Sequence, residues 1–438
     1  MKSILISAPA SGSGKTTITL GLIRALKNKG LDVCAYKAGP DYIDRAFLEK
    51  ASAKPAGNLD MHIQGVKGMH YAFAKAPAAN CIIEGVMGFF DGISNTFLNS
   101  CYDISRQLRI PTLLVYAPKG EMFSVIPKIK GMAEFDQSTI KAVLFNKVSE
   151  KYYHLLSSAM KEYTDLKVVG YVPKIDQAGF DSRHLGLVQS EEIKDIEQKI
   201  ELLANSLSNT VDLDAIEGLM SPPLLDATPT DFLLGKYDVT VAIARDKAFS
   251  FYYRENLELL ESCCRVVYFS PLSDQKLPEC DLIYFGGGYP EVFRKELAAN
   301  TTMLNDVRSY GNNGGYIFGE CGGLMYLLDY IEDSKTVGLL PGKCTLTKSL
   351  QRFGYIDLTL NQDCFLGTAG TTFTGHEFHK STARVERPTV YNINKTKGDA
   401  RWDCGFQYKN TIAGYPHINF LSNIELLKHM LATIETSK

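Results

Sequence analysis

Short runs of nearly uninterrupted apolar residues recur along this chain, each too brief for a helix. They include Ser3 to Ser7, Val33 to Tyr36, residues 81 to 83, Pro111 to Tyr116, Ala142 to Phe145 and Val168 to Tyr171. A strand that is apolar on both sides cannot face water on either, so such runs belong to a mostly parallel sheet covered by helices on both faces. Helical spacing fills the intervals: Ile18, Leu22, Ile23 and Leu26 predict a helix from Ile18 to Lys27. The alternation restarts with Val239 to Ala244, Arg265 to Phe269 and Asp281 to Phe285, and Glu291 to Tyr310 reads as one helical cover.

Length allows roughly three domains of about 150 residues or two larger α/β domains. The punctuation favours two, at 1–188 and 237–438, the first with its last element near Leu187. Residues 189–236 are expected as a helical connector. Ile193, Ile196, Ile200 and Leu203 keep helical spacing there, and three prolines mark a turn-rich stretch from Asn209 to Asp231. Residues 343–392, rich in threonine and aromatics, predict an antiparallel extension. The chain then reads as a strand over Ile412 to Tyr415, a turn at Pro416-His417 and a helix from Ser422 to about Ile434.

Hydrophobic residues make up 45% of the 438, enough for substantial cores. A formal net charge of -2 from 47 basic and 49 acidic side chains gives no positive footprint for nucleic acid. The 10 cysteines are scattered without a CxxC pair, and the adjacent Cys263 and Cys264 suit no disulfide framework, so reduced thiols and a cytoplasmic setting are expected. The opening MKSILISAPASGSGK reads as strand and loop with no export leader. No stretch of about 20 apolar residues offers a membrane span.

The segment Ala8-Pro9-Ala10-Ser11-Gly12-Ser13-Gly14-Lys15-Thr16-Thr17 lies between an apolar strand and a helix. Gly12 and Gly14 let consecutive N–H groups turn toward an anion, and the helix starting near Lys15 adds its positive end. Lys15 would reach the β- and γ-phosphates of ATP and Thr16 would offer its hydroxyl to Mg²⁺, as in a Walker A loop, although Pro9 stands where the first glycine belongs. Ser11, Ser13 and Thr17 complete the cradle, and Lys37 stands at the end of the next strand as a further ATP-binding candidate. Asp41, Glu84 and Asp91 follow early strands, where the sites of open α/β sheets collect. With Thr16, Asp41 and Glu84 are candidate oxygen ligands for magnesium. The plainer account of Asp41 and Asp91 is that they cap turns.

The second centre is Gly319-Glu320-Cys321-Gly322-Gly323, directly after an apolar strand. A cysteine between small residues at a strand-to-helix turn is a nucleophile elbow, with Cys321 the candidate nucleophile, although an isolated cysteine is more often core. Gly286-Gly287-Gly288 follows another strand; amides at Gly287, Gly288 and Gly322 are candidates to face an oxyanion. His417 is the best candidate base, with His376 and His379 as competitors. The last two also resemble half of a metal site, but no carboxylate or cysteine set completes it.

Taken in order, SGSGKTT (11–17), KAGPDYID (37–44), EGVMGFFDG (84–92), GGGYPE (286–291), GECGG (319–323) and GHEFHKS (375–381) resemble the corrinoid glutamine amidotransferase family over nearly the whole length. The resemblance implies an N-terminal dethiobiotin-synthetase-like P-loop domain with a parallel sheet and a C-terminal class I glutamine amidotransferase α/β domain. It implies ATP- and Mg²⁺-dependent amidation of the a and c acetates of cobyrinate through acyl phosphates, with nitrogen from glutamine. Cys321 matches the family nucleophile and His417 its base. Asp41, Tyr42 and Ile43 fall where the family contacts its tetrapyrrole, and Glu84 and Asp91 match acidic positions tied to acetate amidation. Asn419 stands where many class I enzymes carry the acid that orients the histidine, leaving that asparagine or a backbone carbonyl to set the tautomer. Ammonia must stay unprotonated to react, so the two domains are expected to enclose a route from Cys321 to the Gly85 to Asp91 region. A homodimer is compatible with the resemblance. Nickel sirohydrochlorin, hydrogenobyrinate and the remaining corrinoid carboxylates are alternative substrates. A noncatalytic P-loop scaffold or metallochaperone ATPase is the alternative of a different class.

Overall fold

A computed structural model of the chain describes residues 1–175, 195–226 and 230–438. Along the opening strand Ile4 and Ile6 enter one apolar cluster while Leu5 enters another, the alternation expected of a strand buried on both faces. The chain forms two units. One comprises residues 1–61 and the described residues from 69 to 226, the other residues 62–68 and 230–438.

The first unit runs β1 (Lys2–Ser7), α1 (Lys15–Asn28), β2 (Val33–Ala38), α2 (Ile43–Ser52), β3 (Gly57–Leu59), α3 (Met61–Ala74), β4 (Asn80–Glu84), α4 (Cys101–Leu108), β5 (Thr112–Tyr116), α5 (Val125–Glu134), β6 (Ile140–Asn146), α6 (Glu150–Tyr163), β7 (Lys167–Val172), α7 (Ile196–Thr210) and α8 (Leu213–Leu219). The strands lie in the order β3-β2-β4-β1-β5-β6-β7 and every pairing is parallel. Because β1 sits between β4 and β5, strand addition changes sides there. The loops leaving β1, β2 and β4 therefore share the carboxyl edge of the sheet, where α/β folds hold ligands. Within α3, whose residues 62–68 count with the second unit, the helix breaks at Gly65, whose φ is 66° and ψ 163°.

The helical part of residues 189–236 belongs to this first unit. Ile200, Leu203 and Leu207 of α7 are fully buried in the cluster that holds Ile18, Leu22 and Ile23 of α1. Gly21 permits that approach, since a Cβ there would lie 2.7 Å from Leu207 Cδ1 and 2.9 Å from Leu203 Cβ. Burying each of these leucines contributes roughly 1.5–3 kcal/mol, a draw that local turn signals do not register. The proline-bearing stretch after residue 209 also contains α8, capped by the Asp212 side chain accepting from Ala215 N. The expected boundary near Leu187 lies outside the described residues.

The second unit runs β8 (Thr240–Ala244), β9 (Phe249–Phe251), α9 (Arg254–Cys263), β10 (Arg265–Phe269), β11 (Leu282–Phe285), β12 (Gly287–Gly288), α10 (Arg294–Ala299), α11 (Thr301–Asn312), β13 (Tyr316–Glu320), α12 (Gly322–Leu327), β14 (Leu328–Ile331), β15 (Ser334–Lys335), β16 (Leu340–Leu346), β17 (Arg352–Leu360), β18 (Thr372–His379), β19 (Ser381–Val385), β20 (Thr389–Lys395), β21 (Arg401–Tyr408), β22 (Thr411–Gly414), β23 (His417–Ile418) and α13 (Ile424–Thr436). A ten-stranded sheet, β10-β8-β11-β13-β22-β21-β20-β17-β18-β23, is parallel through β22 and antiparallel beyond it. The antiparallel extension expected in residues 343–392 is present. Two sequence readings change: the helical cover from Glu291 splits where the Asn300 side chain caps α11 by accepting from Met303 N, and His417 starts a strand instead of closing a turn. Among the described residues no helix is long and apolar enough to cross a membrane.

Two candidate active sites

In the first unit, the loop after β1 carries Gly12 and Gly14 at φ 77° and 87°, the left-handed region that glycine occupies without penalty. Gly14 is doubly constrained, because a Cβ there would sit 2.4 Å from Asn146 Nδ2. That Asn146 amide, at the end of β6, donates to Ser13 O at 2.9 Å and fixes the loop. Lys15 opens α1 largely buried, its amine donating to Met87 O, and burial lowers its pKa. Ser11, Ser13, Thr16 and Thr17 lie on the same turn and first helical positions, so the loop expected from sequence forms as one piece.

Three strand ends converge beside it. Thr16 Oγ1 donates to Glu84 Oε1 at 2.5 Å, and the Lys37 ammonium reaches Glu84 Oε1 at 3.1 Å and Asp44 Oδ2 at 2.5 Å. Burial works against charge on Lys37, yet Asp44 and Glu84 outweigh it and hold the ammonium protonated above its usual range. Burial pushes Glu84 up to about 7 against the pull of Lys37, while Asp44, also buried, is held below the usual carboxylate range by Lys37. Glu84 Oε2 is shut from solvent with no hydrogen-bond partner. A second hard oxygen within reach of the Thr16 hydroxyl, at the start of a phosphate-binding helix, fits a magnesium ion completed by phosphate and water.

Of the other predicted acids, Asp41 borders this cluster, its charge acting on Lys37, and Asp91 lies at the turn after β4. Asp41 Oδ1 accepts the Asp44 N–H at 3.2 Å, one step away from Lys37, and Asp91 is exposed with Oδ2 accepting from Gly88 N at 2.9 Å. Asp91 thus caps the turn after β4. Tyr42 precedes α2 and Ile43 opens it; the Ile43 side chain lies outside the described residues. The residue that sequence reading passed over is Asp44. It stands three positions beyond Asp41, the spacing that puts two side chains on the same face of a helix start.

In the second unit, β13 ends at Glu320 and α12 begins at Gly322, leaving Cys321 at φ 47° and ψ −97°. A non-glycine residue in this region is strained, a cost that clusters at functional sites. Neighbouring glycines make the bend possible: a Cβ on Gly323 would lie 2.5 Å from Phe285 O, and one on Gly322 would lie 3.0 Å from Pro290 and 3.1 Å from Gly288 N. The elbow is pinned by Cys321 N donating to Gly414 O at 2.7 Å and Gly323 N to Gly286 O at 3.1 Å. Gly286, Gly287 and Gly288 therefore run beside the thiol. His417 lies against this strand, since a Cβ on Gly287 would fall 2.3 Å from its Cε1. The structure brings together Cys321, His417, Gly287, Gly288 and Gly322.

Burial pushes the Cys321 thiol up, with Glu291 the foremost charge acting in the same direction and the Gly322 N–H opposing. Burial pushes His417 down to about 3, so its imidazole is neutral at physiological pH and free of any proton it would need to lose before accepting one. His376 stands opposite His417 in the β18–β23 register and burial likewise pushes it down to about 3. His379 stacks on Tyr415 at 3.7 Å with Nδ1 2.8 Å from Ser381 O. The Asn419 amide faces Glu255 Oε2 at 3.4 Å and its carbonyl accepts from Leu421 N at 3.0 Å. Among the described residues no group of three or more His, Cys, Asp or Glu side chains is placed to hold a metal ion.

Glu320 fixes the strand that carries His417. Its Oε1 accepts from Ile418 N and its Oε2 from Tyr284 Oη, both at 2.8 Å, and burial pushes its carboxyl up to about 8. The folded state therefore holds this proton more tightly than the unfolded chain, whose glutamate titrates near 4.3. Stability from this group is full below about 4 and is lost as pH rises toward 8. Thermal melts from pH 5 to 8 are expected to fall in Tm for the native protein and to fall less for Glu320→Gln, which gains on the order of 1–3 kcal/mol at pH 8. Parallel pH slopes would refute this account.

Together a nucleotide-type phosphate loop and a thiol elbow with a buried imidazole define an ATP-using glutamine amidotransferase. Residues 4–188 match the CobQ/CobB/MinD/ParA nucleotide binding domain, and residues 240–424 match the CobB/CobQ-like glutamine amidotransferase domain. Over 98% of this chain and 100% of each relative, the chain is 42% identical to a cobyrinate a,c-diamide synthase of Clostridium tetani and 41% identical to that of Clostridium acetobutylicum. A relative of the same name from Fusobacterium nucleatum is 38% identical over the same shares. The chain belongs to the cobyrinate a,c-diamide synthase family.

Proposed function

We propose that this protein converts cobyrinate to its a,c-diamide, using ATP and glutamine for each of two amidations. A carboxylate is a poor electrophile because its charge is delocalised and oxide is a poor leaving group. Transfer of the γ-phosphoryl group of ATP to the acetate gives an acyl phosphate, from which phosphate departs when ammonia attacks. Lys15 and the amides of Gly12 and Gly14 would bear the charge of the phosphates. Thr16 and Glu84 would hold Mg²⁺, whose chemistry is to neutralise charge on the phosphate oxygens. Lys37, held by Asp44 and Glu84, would orient these groups, and Asp41 and Tyr42 would meet the tetrapyrrole.

Nitrogen is released in the other unit. The Cys321 thiol passes its proton to His417 as sulfur attacks the γ-amide of glutamine, with Gly287, Gly288 and Gly322 disposed to take up the oxyanion. His417 returns the proton to the departing ammonia, leaving a thioester that water hydrolyses to glutamate. What carries the reading is the presence of both centres in a chain that aligns over its full length with relatives of one name. The test is mass analysis of products from cobyrinate, hydrogenobyrinate and nickel sirohydrochlorin, each supplied with glutamine and MgATP. A doubly amidated product formed fastest from cobyrinate is expected; preferential turnover of either other substrate would overturn the assignment.

A further inference from the structure

The loop that carries the three glycines continues Tyr289-Pro290-Glu291, and the Pro290 ring packs against Gly322 of the elbow, 3.0 Å from where a Cβ would project. Glu291 is therefore delivered beside the thiol. Its Oε2 is closed to solvent and has no hydrogen-bond partner. Arg294, the nearest cation in sequence, is spent elsewhere, since it donates to the Glu291 backbone carbonyl and lies 3.5 Å from Asp333. A carboxylate buried without a counter-charge is costly, and the cost is relieved either by a proton or by a cation supplied from outside the chain. We infer that Glu291 is the subsite for the α-ammonium of glutamine, distinguishing the free amino acid from amides that lack an amino group.

Geometry and charge agree on this. Glutamine presents an amide to Cys321 and, a few carbons away, a cation. Burial pushes Glu291 up to about 7, so near neutral pH it is poised to become fully ionised when a positive group arrives. In the free protein its charge disfavours the Cys321 thiolate. An ammonium seated on it cancels that repulsion, so occupation of the subsite by the correct substrate also eases ionisation of the nucleophile. A second carboxylate, Glu377, acts on the thiol in the same sense; its Oε1 receives the Trp402 indole N–H at 3.3 Å, and its Oε2, buried without a hydrogen bond, still faces the His379 imidazole at 3.6 Å, a neighbour that Glu291 Oε2 lacks.

The inference rests on Cys321 hydrolysing glutamine, and the test separates the two. Hydrolysis of glutamine and of glutaramate, the same amide without the α-amino group, is measured for native protein, Glu291→Gln and Glu377→Gln. For Glu291→Gln the preference for glutamine, as a ratio of kcat/KM values, is expected to collapse by roughly 10- to 100-fold, mostly through the glutamine value. Alkylation of Cys321 by iodoacetamide in the absence of substrate, read by peptide mass mapping, is expected to accelerate in the same variant. An unchanged ratio in a Glu291→Gln protein that melts normally, or a collapse confined to Glu377→Gln, overturns the inference. Absence of hydrolysis by the native protein would instead overturn the glutaminase reading itself.

Discussion

Replacing Cys321 with alanine is expected to lower glutamine-dependent amidation by roughly a thousandfold or more, the scale of losing a covalent nucleophile. Amidation driven by ammonium salts at alkaline pH should persist, because alanine removes a sulfur atom and leaves the phosphate-loop unit untouched. The elbow tolerates the change: Cys321 sits at φ 47° whether or not its side chain ends in sulfur, and the bond from its N–H to Gly414 O does not involve the thiol. Amide formation from both nitrogen sources is followed by product mass and release of phosphate. Equal loss with glutamine and with ammonium would mean that the thiol does more than liberate nitrogen.

Lys15→Met is expected to act on the opposite half of the reaction. The substitution keeps an unbranched side chain at the start of α1 and deletes the cation beside the phosphates. Loss of charge stabilisation at a transferring phosphoryl group costs roughly 10²–10³ in rate, and it should appear with either nitrogen donor. Glutamine hydrolysis at Cys321 should survive in part, since thioester chemistry needs no phosphoryl transfer. Measuring glutamate and phosphate in the same samples separates the two activities. Ammonium-dependent amidation at native rates in this variant would remove Lys15 from the reaction.

Both centres were legible in the sequence because each depends on local chemistry. The glycines at 12 and 14 are needed where the backbone turns left-handed, and those at 322 and 323 where a Cβ would strike Pro290 or Phe285; such demands leave a mark in consecutive letters. The strands were legible for a related reason: burial on two faces removes polar residues from every position of a short run, as in Leu113, Leu114 and Val115. What could not be read depends on partners distant in the chain. Glu84 is one such case, since it meets Lys37 only because β2 and β4 lie side by side in the sheet, whereas Asp44, the partner of Lys37 at 2.5 Å, stood within the same short motif and was passed over. Asn419 occupies the position where an acid was sought, yet it turns toward Glu255, which is set by how α9 packs beneath the β23 strand. Glu320 adjoins the nucleophile but bonds Tyr284 and Ile418, and so acts on the neighbouring strand that carries His417. The role of α7 was missed for the same cause: its spacing announced a helix, while the glycine that receives it lies at position 21.

That last contact bears on how such a two-part enzyme could come apart. The helix bearing Lys15 is backed by residues contributed well downstream of the strands that flank it, so a gene split shortly after β7 would strip Leu203 and Leu207 from the phosphate-binding half and leave an oily trench behind α1. A viable fission point falls beyond residue 226, and an independently encoded ligase partner must carry its own copy of that rear brace.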